Sequence, residues 1–194
     1  MVPMDALTRA PSTYHPSLPP LPEATLPLWD LVPTSQRHYF NHQPPSEFHH
    51  RAYEFGSSPQ LMPLVRSYLA TCAAGHDENF QFVFTLLGAE LASNAIHHSR
   101  SGRVGGRYTL TCRREPDGLH LDCIDQGDPH AHPSRIGEHL TPAPDGLSPD
   151  AESGRGLAMI DRLATTWGEN GCPQARQVWL YLRSDLSGSQ WEGA

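Results

Sequence analysis

Between Asp77 and His98 the chain repeats its apolar side chains with a helical period, and this stretch restricts the fold more than any other. Phe80, Val83, Phe84, Leu87, Leu91 and Ala95 follow i, i+3, i+4 and i+7 spacing, and Asp77 is a good N-cap before them. Such a stripe must bury itself against another apolar layer. At about 100° per residue, however, Asn94 falls inside the stripe and Glu90 on its margin. Burying an unpaired amide or carboxylate costs on the order of 1–3 kcal/mol or more. Either the pair feeds a polar cleft, or Glu90 points to solvent and Asn94 bonds a neighbouring loop.

The flanking pattern supplies the apolar layer. Arg51-Ala52-Tyr53-Glu54-Phe55 alternates like a strand, and Gly56-Ser57-Ser58-Pro59 reads as a turn, an N-cap and an N1 proline. A first helix is expected over 59–74, with Leu61, Leu64, Val65, Tyr68 and Leu69 on one face and Gly75 at its end. The stripe at 79–98 is the second helix. Tyr108, Leu110 and Cys112 then alternate with Arg and Thr, Pro116-Asp117-Gly118 turns the chain, and Leu119, Leu121 and Cys123 continue as a hairpin ending at Asp125. A third helix is expected over 157–164, with Leu157, Ile160 and Leu163 inward. A last strand pair follows at 165–168 and 178–183, joined through Asn170-Gly171.

Composition limits the rest. From Met1 to Pro45 there are ten prolines and almost no periodicity, so residues 1–47 are expected to be a largely disordered tail. Leu26 to Val32 is apolar enough to dock on a partner or, as the preferred reading, on its own domain. The folded domain is expected over 48–186, with a frayed end at 187–194. Residues 126–153 are rich in Pro, Gly, Asp and His without strong periodicity. A loop of that length is usually functional or disordered, and it is read as a mobile lid.

A net charge of −7 and a pI near 5.9 leave no basic footprint for nucleic acid, so no direct nucleic-acid contact is expected. All fourteen basic residues are arginines, and Arg100, Arg103, Arg113 and Arg114 are read as solvated surface. Cys72, Cys112, Cys123 and Cys172 form no C-x-x-C pair, which argues against a zinc framework or redox motif. Cys112 and Cys123 read as buried thiols. With no 18-residue apolar run and no leader pattern, no membrane association is expected and a cytoplasmic location is.

Three separated features stand in order: Glu90-Leu91-Ala92-Ser93-Asn94-Ala95 on a helix, Asp125-Gln126-Gly127 at a strand end, and Gly154-Arg155-Gly156-Leu157 at a helix start. Glycines there let backbone N–H groups approach an anion closely. The ordered set resembles the N, G1 and G2 boxes of the GHKL ATPases, the superfamily of gyrase, Hsp90, histidine kinases and MutL. Within it, the short layout over 48–183 looks most like the anti-sigma-factor serine/threonine kinases and their actinobacterial relatives.

That resemblance implies a Bergerat fold: an α+β two-layer sandwich with a mixed, mostly antiparallel sheet, about three helices on one face and a long ATP lid. It implies ATP and Mg²⁺ as cofactors. Asn94 would ligate Mg²⁺, and Glu90 would be the catalytic base toward a protein serine or water. Asp125 would accept the adenine amino hydrogen bond, with Gly127 leaving room for the base. Gly154 and Gly156 would give backbone donors to the phosphates, Arg155 a charge-assisted contact, and Leu157 would continue the motif. Two departures stand out: Asp128-Pro129 where the family commonly has a second G1 glycine, and Ala175-Arg176-Gln177 in place of a Gly-Thr pair.

The expected function is that of an ATP-dependent protein serine/threonine kinase in transcription regulation, with a sigma factor and an anti-sigma-factor antagonist protein as partners. Self-association into a homodimer stays open. The alternative from another class is a non-catalytic ATP-sensing module whose lid exposes or hides a protein-binding surface. Two side features keep two readings each. His130, His132 and His139 are solvated loop histidines or metal ligands, and His97-His98 caps the second helix or reaches the nucleotide.

Overall fold

The structure is a computed structural model that describes residues 27–41, 48–128, 130, 137, 139–144, 146–148 and 154–191. Five strands form one sheet: β1 (His50–Gly56), β2 (Arg107–Glu115), β3 (Gly118–Ile124), β4 (Thr166–Glu169) and β5 (Gln177–Arg183). Helices α1 (Met62–Ala73), α2 (Glu78–His98) and α3 (Arg155–Leu163) accompany them. The strand order is β1-β2-β3-β5-β4.

The sheet is antiparallel at all four pairings rather than mixed. Connectivity explains the difference. The α1–α2 hairpin brings the chain back to the end of the sheet it left, so β2 runs against β1. A strand-helix-strand crossover normally gives parallel neighbours, and β3 and β4, joined through α3, do run the same way. β5 inserts between them, antiparallel to both. The α+β two-layer arrangement with three helices on one face is thus the observed fold.

Alternation decides which side of each strand is buried. Tyr108, Leu110, Cys112, Leu119, Leu121, Cys123, Val178, Leu180 and Leu182 face the helices and are buried. Arg113, His120, Asp122, Gln177 and Trp179 lie on the other face. There the Asp122 carboxylate accepts from Gln177 Nε2 at 2.7 Å and pairs with Arg113 at 3.3 Å.

The helical stripe read from the sequence is the core. Phe80, Val83, Phe84, Leu87, Leu91 and Ala95 are all buried, and Asp77 caps α2 by accepting from the Phe80 amide at 3.1 Å. From α1, Val65, Tyr68, Leu69 and Cys72 join them, and the buried Tyr68 hydroxyl donates to the carbonyls of Arg51 (3.0 Å) and Leu110 (3.3 Å). A buried phenol without such partners would cost on the order of 1–3 kcal/mol. Cys72, Cys112 and Cys123 are buried free thiols.

The ends are more involved than their composition suggests. Residues 27–41 form two short 3₁₀ helices, Leu28–Leu31 and Thr34–Tyr39, and drive Val32 and Phe40 into the core. Full burial of each such side chain is worth about 1.5–3 kcal/mol, enough to hold a short segment that proline count alone marks as unstructured. At the other terminus, the Gln190 amide donates to the Arg162 carbonyl at 3.0 Å. The Trp191 ring lies 5.4 Å from Phe82. The proline-rich segment before residue 27, and residues 42–47, lie outside the described residues. Among the described residues no helix is long and apolar enough to cross a membrane.

Candidate functional site

A cavity of about 610 Å³ opens between the C-terminal half of α2, the start of α3 and the ends of β3 and β5. Pockets for small organic ligands usually fall between about 300 and 1,000 Å³. Four elements far apart in the chain converge on it: Asn94 from α2, Asp125 from the end of β3, Gly154, Gly156 and Leu157 from α3, and Arg176 from the lead-in to β5.

On the helical side, Asn94 is half-buried at the wall, one turn beyond Glu90. Gly154 caps α3, and Gly156 sits in its first turn, directly against α2. A Cβ on Gly156 would stand 2.7 Å from Glu90 Oε2 and 3.4 Å from both side-chain heteroatoms of Asn94. Glycine is therefore what lets the start of α3 approach these two side chains. Glu90 does not line the cavity itself, and its carboxylate lies beside the Gly156 backbone. Arg155, expected beside the phosphates, donates from NH2 to the Ser148 carbonyl at 3.4 Å, toward the preceding loop.

The opposite wall is made of chain ends. The Asp125 amide donates to the Arg176 carbonyl at 2.9 Å, and Asp125 Oδ1 accepts from the Gly127 amide at 2.6 Å. Gly127 adopts φ +76° and packs against the backbone of Gln174, where a Cβ would collide. It thus supports the carboxylate from behind rather than lining the cavity. Burial raises the Asp125 carboxyl above its ordinary range, while the Gly127 amide and the Arg176 and Arg100 guanidinium charges pull it back. Asp128 reaches the cavity from the loop that follows.

Arg100, read as plain surface, ties this wall together. Its Nε donates to the Gln126 carbonyl at 2.8 Å and its NH2 to the Gln174 carbonyl at 2.9 Å, while its own amide donates to the Gly127 carbonyl at 2.8 Å. No local signal could have found it, because its partners lie 26 and 74 residues away. Ser101 adds to the joint by accepting from the Gln126 amide at 2.9 Å.

Both His97 and His98 are exposed at the cavity, where His130 joins them. The Nδ1–H of His97 donates to the Ser93 carbonyl at 2.8 Å, so this ring also closes the last turn of α2. His139 instead pairs with Glu169, whose side chain is 2% exposed, at 2.7 Å. His132 and half of the expected lid lie outside the described residues. No group of three His, Cys, Asp or Glu side chains suited to a metal occurs among the described residues.

Mg²⁺ keeps most of its water and binds through one or two protein oxygens plus the oxygens of substrate phosphates. A hard amide oxygen on Asn94, facing a glycine-lined helix start, fits that donor set.

The arrangement offers an anion site at a helix N-terminus, a hard oxygen donor beside it, a carboxylate one turn away for proton transfer, and a second carboxylate, that of Asp125, on the strand side of the cavity. A family profile described as a histidine kinase-like ATPase domain matches residues 55–180. No curated protein matches the chain.

Proposed function

The chain belongs to the histidine kinase-like ATPase domain family, which carries ATP binding with it, and on that footing we propose that it is a protein serine/threonine kinase of the anti-sigma-factor type. It binds a sigma factor and, using ATP with Mg²⁺, phosphorylates a serine of an antagonist protein. The observation that carries this reading is the closure of Asn94, Glu90 and Gly156 on one another across the α2–α3 contact, at one end of a nucleotide-sized cavity.

The Asn94 Oδ1 would hold Mg²⁺, which when bound would supply positive charge to offset that of the phosphates. The backbone amides at the start of α3 bind and orient the phosphoryl oxygens, helped by the positive end of the helix. Glu90 takes the proton from the serine hydroxyl as its oxygen bonds to the γ-phosphorus and the bond to the β,γ-bridging oxygen breaks, releasing ADP. Asp125 accepts from the adenine amino group, and Gly127 holds that carboxylate in place. Positioning and electrostatics supply most of the rate, since phosphoryl transfer asks little covalent chemistry of a protein.

The rival reading, an ATP sensor without transfer, draws support from the sequence departures Asp128-Pro129 and Ala175-Arg176-Gln177, which alter the motifs that the family uses at the base. Incubation with γ-labelled ATP and candidate antagonist proteins separates the two. Label on an antagonist serine supports the kinase; nucleotide-dependent partner capture without label supports the sensor.

A further inference from the structure

Asp125 and Arg176 are cross-strand partners. The β3–β5 ladder pairs Cys123 with Val178 and Ile124 with Gln177, and the Asp125 amide to Arg176 carbonyl bond extends it by one step. Period-two alternation then puts the side chains of Asp125 and Arg176 on the same side of the sheet as Cys123 and Val178. All four residues line the cavity. The guanidinium acts electrostatically on Asp125, yet it forms no ion pair or side-chain hydrogen bond with a described residue. Five fixed donors at a cavity wall, next to an acceptor-only carboxylate, form a matched donor–acceptor edge.

We propose that Arg176 determines nucleobase selectivity, donating to an acceptor nitrogen on the purine edge beside the amino group whose hydrogen Asp125 accepts. The inference rests on the ATP-binding reading above and adds the residue that completes base recognition where the Gly-Thr pair is missing. A phosphate role does not suit this cation. Its immediate neighbour is a carboxylate, which would repel a phosphate, and the glycine-lined helix start packs against Glu90 and Asn94 of α2 instead. Adenine, by contrast, offers a ring-nitrogen acceptor on each side of its amino donor, N1 and N7.

The test is calorimetric titration of the full chain and of Arg176→Leu with AMP, ADP and ATP, and with the 1-deaza and 7-deaza analogues of ADP. Thermal unfolding confirms that the variant is folded. Arg176→Leu is expected to weaken all three nucleotides by the same factor, about tenfold or more for a charge-assisted contact. The native chain should reject one of the two deaza analogues by a similar factor, and the variant should not. A loss that grows with the number of phosphates, a deaza discrimination that survives in the variant, or unchanged affinity for every ligand overturns the proposal. If the native chain binds ADP but the variant is unaffected, this inference alone fails. If the folded native chain binds no adenine nucleotide, the ATP-binding reading fails with it.

Discussion

The two ends of the cavity are built from different materials. At one end Asn94, Gly154 and Gly156, with Glu90 beside Gly156, ride on two packed helices, with α2 buried along most of its length and α3 anchored by Ala158 and Ile160. At the other end Asp125, Gly127 and Arg176 sit on strand ends and connecting loops, held by hydrogen bonds to backbone carbonyls and by the Arg100 fork. Helices carry groups at fixed spacing, whereas loops depend on whatever distant chain they are tied to. The contrast teaches that the chemistry end should respond to single side chains and the base end to the integrity of a joint.

The sharpest way to break this comparison is Glu90→Gln. It keeps the size and the contact with Gly156 but removes the proton acceptor. Phosphotransfer should fall by about 10²–10⁴-fold with nucleotide affinity little changed. Transfer at the native rate in a labelled-ATP assay would remove Glu90 from its assigned role.

Asn94→Ala comes next. Losing a ligand to a cation–phosphate complex should weaken ATP about 10–100-fold when Mg²⁺ is present, and much less when it is chelated. Equal losses with and without Mg²⁺, measured by calorimetry, would mean that Asn94 acts as a packing residue.

At the base end, acidity is the probe. Burial lifts the Asp125 carboxyl above 3.8, so its anionic acceptor is lost at a higher pH than for a free aspartate as the solution is acidified. Below that point ATP affinity should fall by up to about tenfold per pH unit, and Asp125→Asn should lack this dependence. Nucleotide-free stability carries the opposite sign. A folded-state pKa raised for an acid means that the folded chain binds the proton more tightly, so this group favours folding as pH drops. Observing both trends together would tie them to one carboxyl.

The smallest effect is expected for Arg100→Met. Two exposed hydrogen bonds contribute about 0.5–1.5 kcal/mol each at most, so stability should drop by about 1 kcal/mol and ATP affinity by a few-fold, with the Mg²⁺ dependence intact. A collapse of Mg²⁺-dependent binding would show that the two ends are mechanically coupled.

The helical end was legible because its information is local. Phe80 to Ala95 announce a helix by period, and Glu90 and Asn94 announce themselves by interrupting it. Gly154 and Gly156 mark a helix start open to close approach. The hairpin was legible for the same reason, with Pro116-Asp117-Gly118 between two alternating runs. Val32 belongs to the Leu26–Val32 stretch read as docking on its own domain, and it does reach the core; Phe40 was harder to place, because its neighbours Tyr53, Phe55 and Tyr68 come from β1 and α1. Arg100 and Arg176 were harder still, since an arginine reads as surface until a carbonyl or a carboxylate is brought beside it.

Periodicity and turn chemistry, which act over a few residues, determined the helices, the strands and the polar pair on α2. The insertion of β5 between β3 and β4, the contact of Gly156 with Glu90 and the facing of Asp125 by Arg176 were decided only by the tertiary structure. Each joins residues tens of positions apart, and the energy that selects such contacts comes from burying the whole sheet beneath its helices, a quantity no local stretch of chain contains.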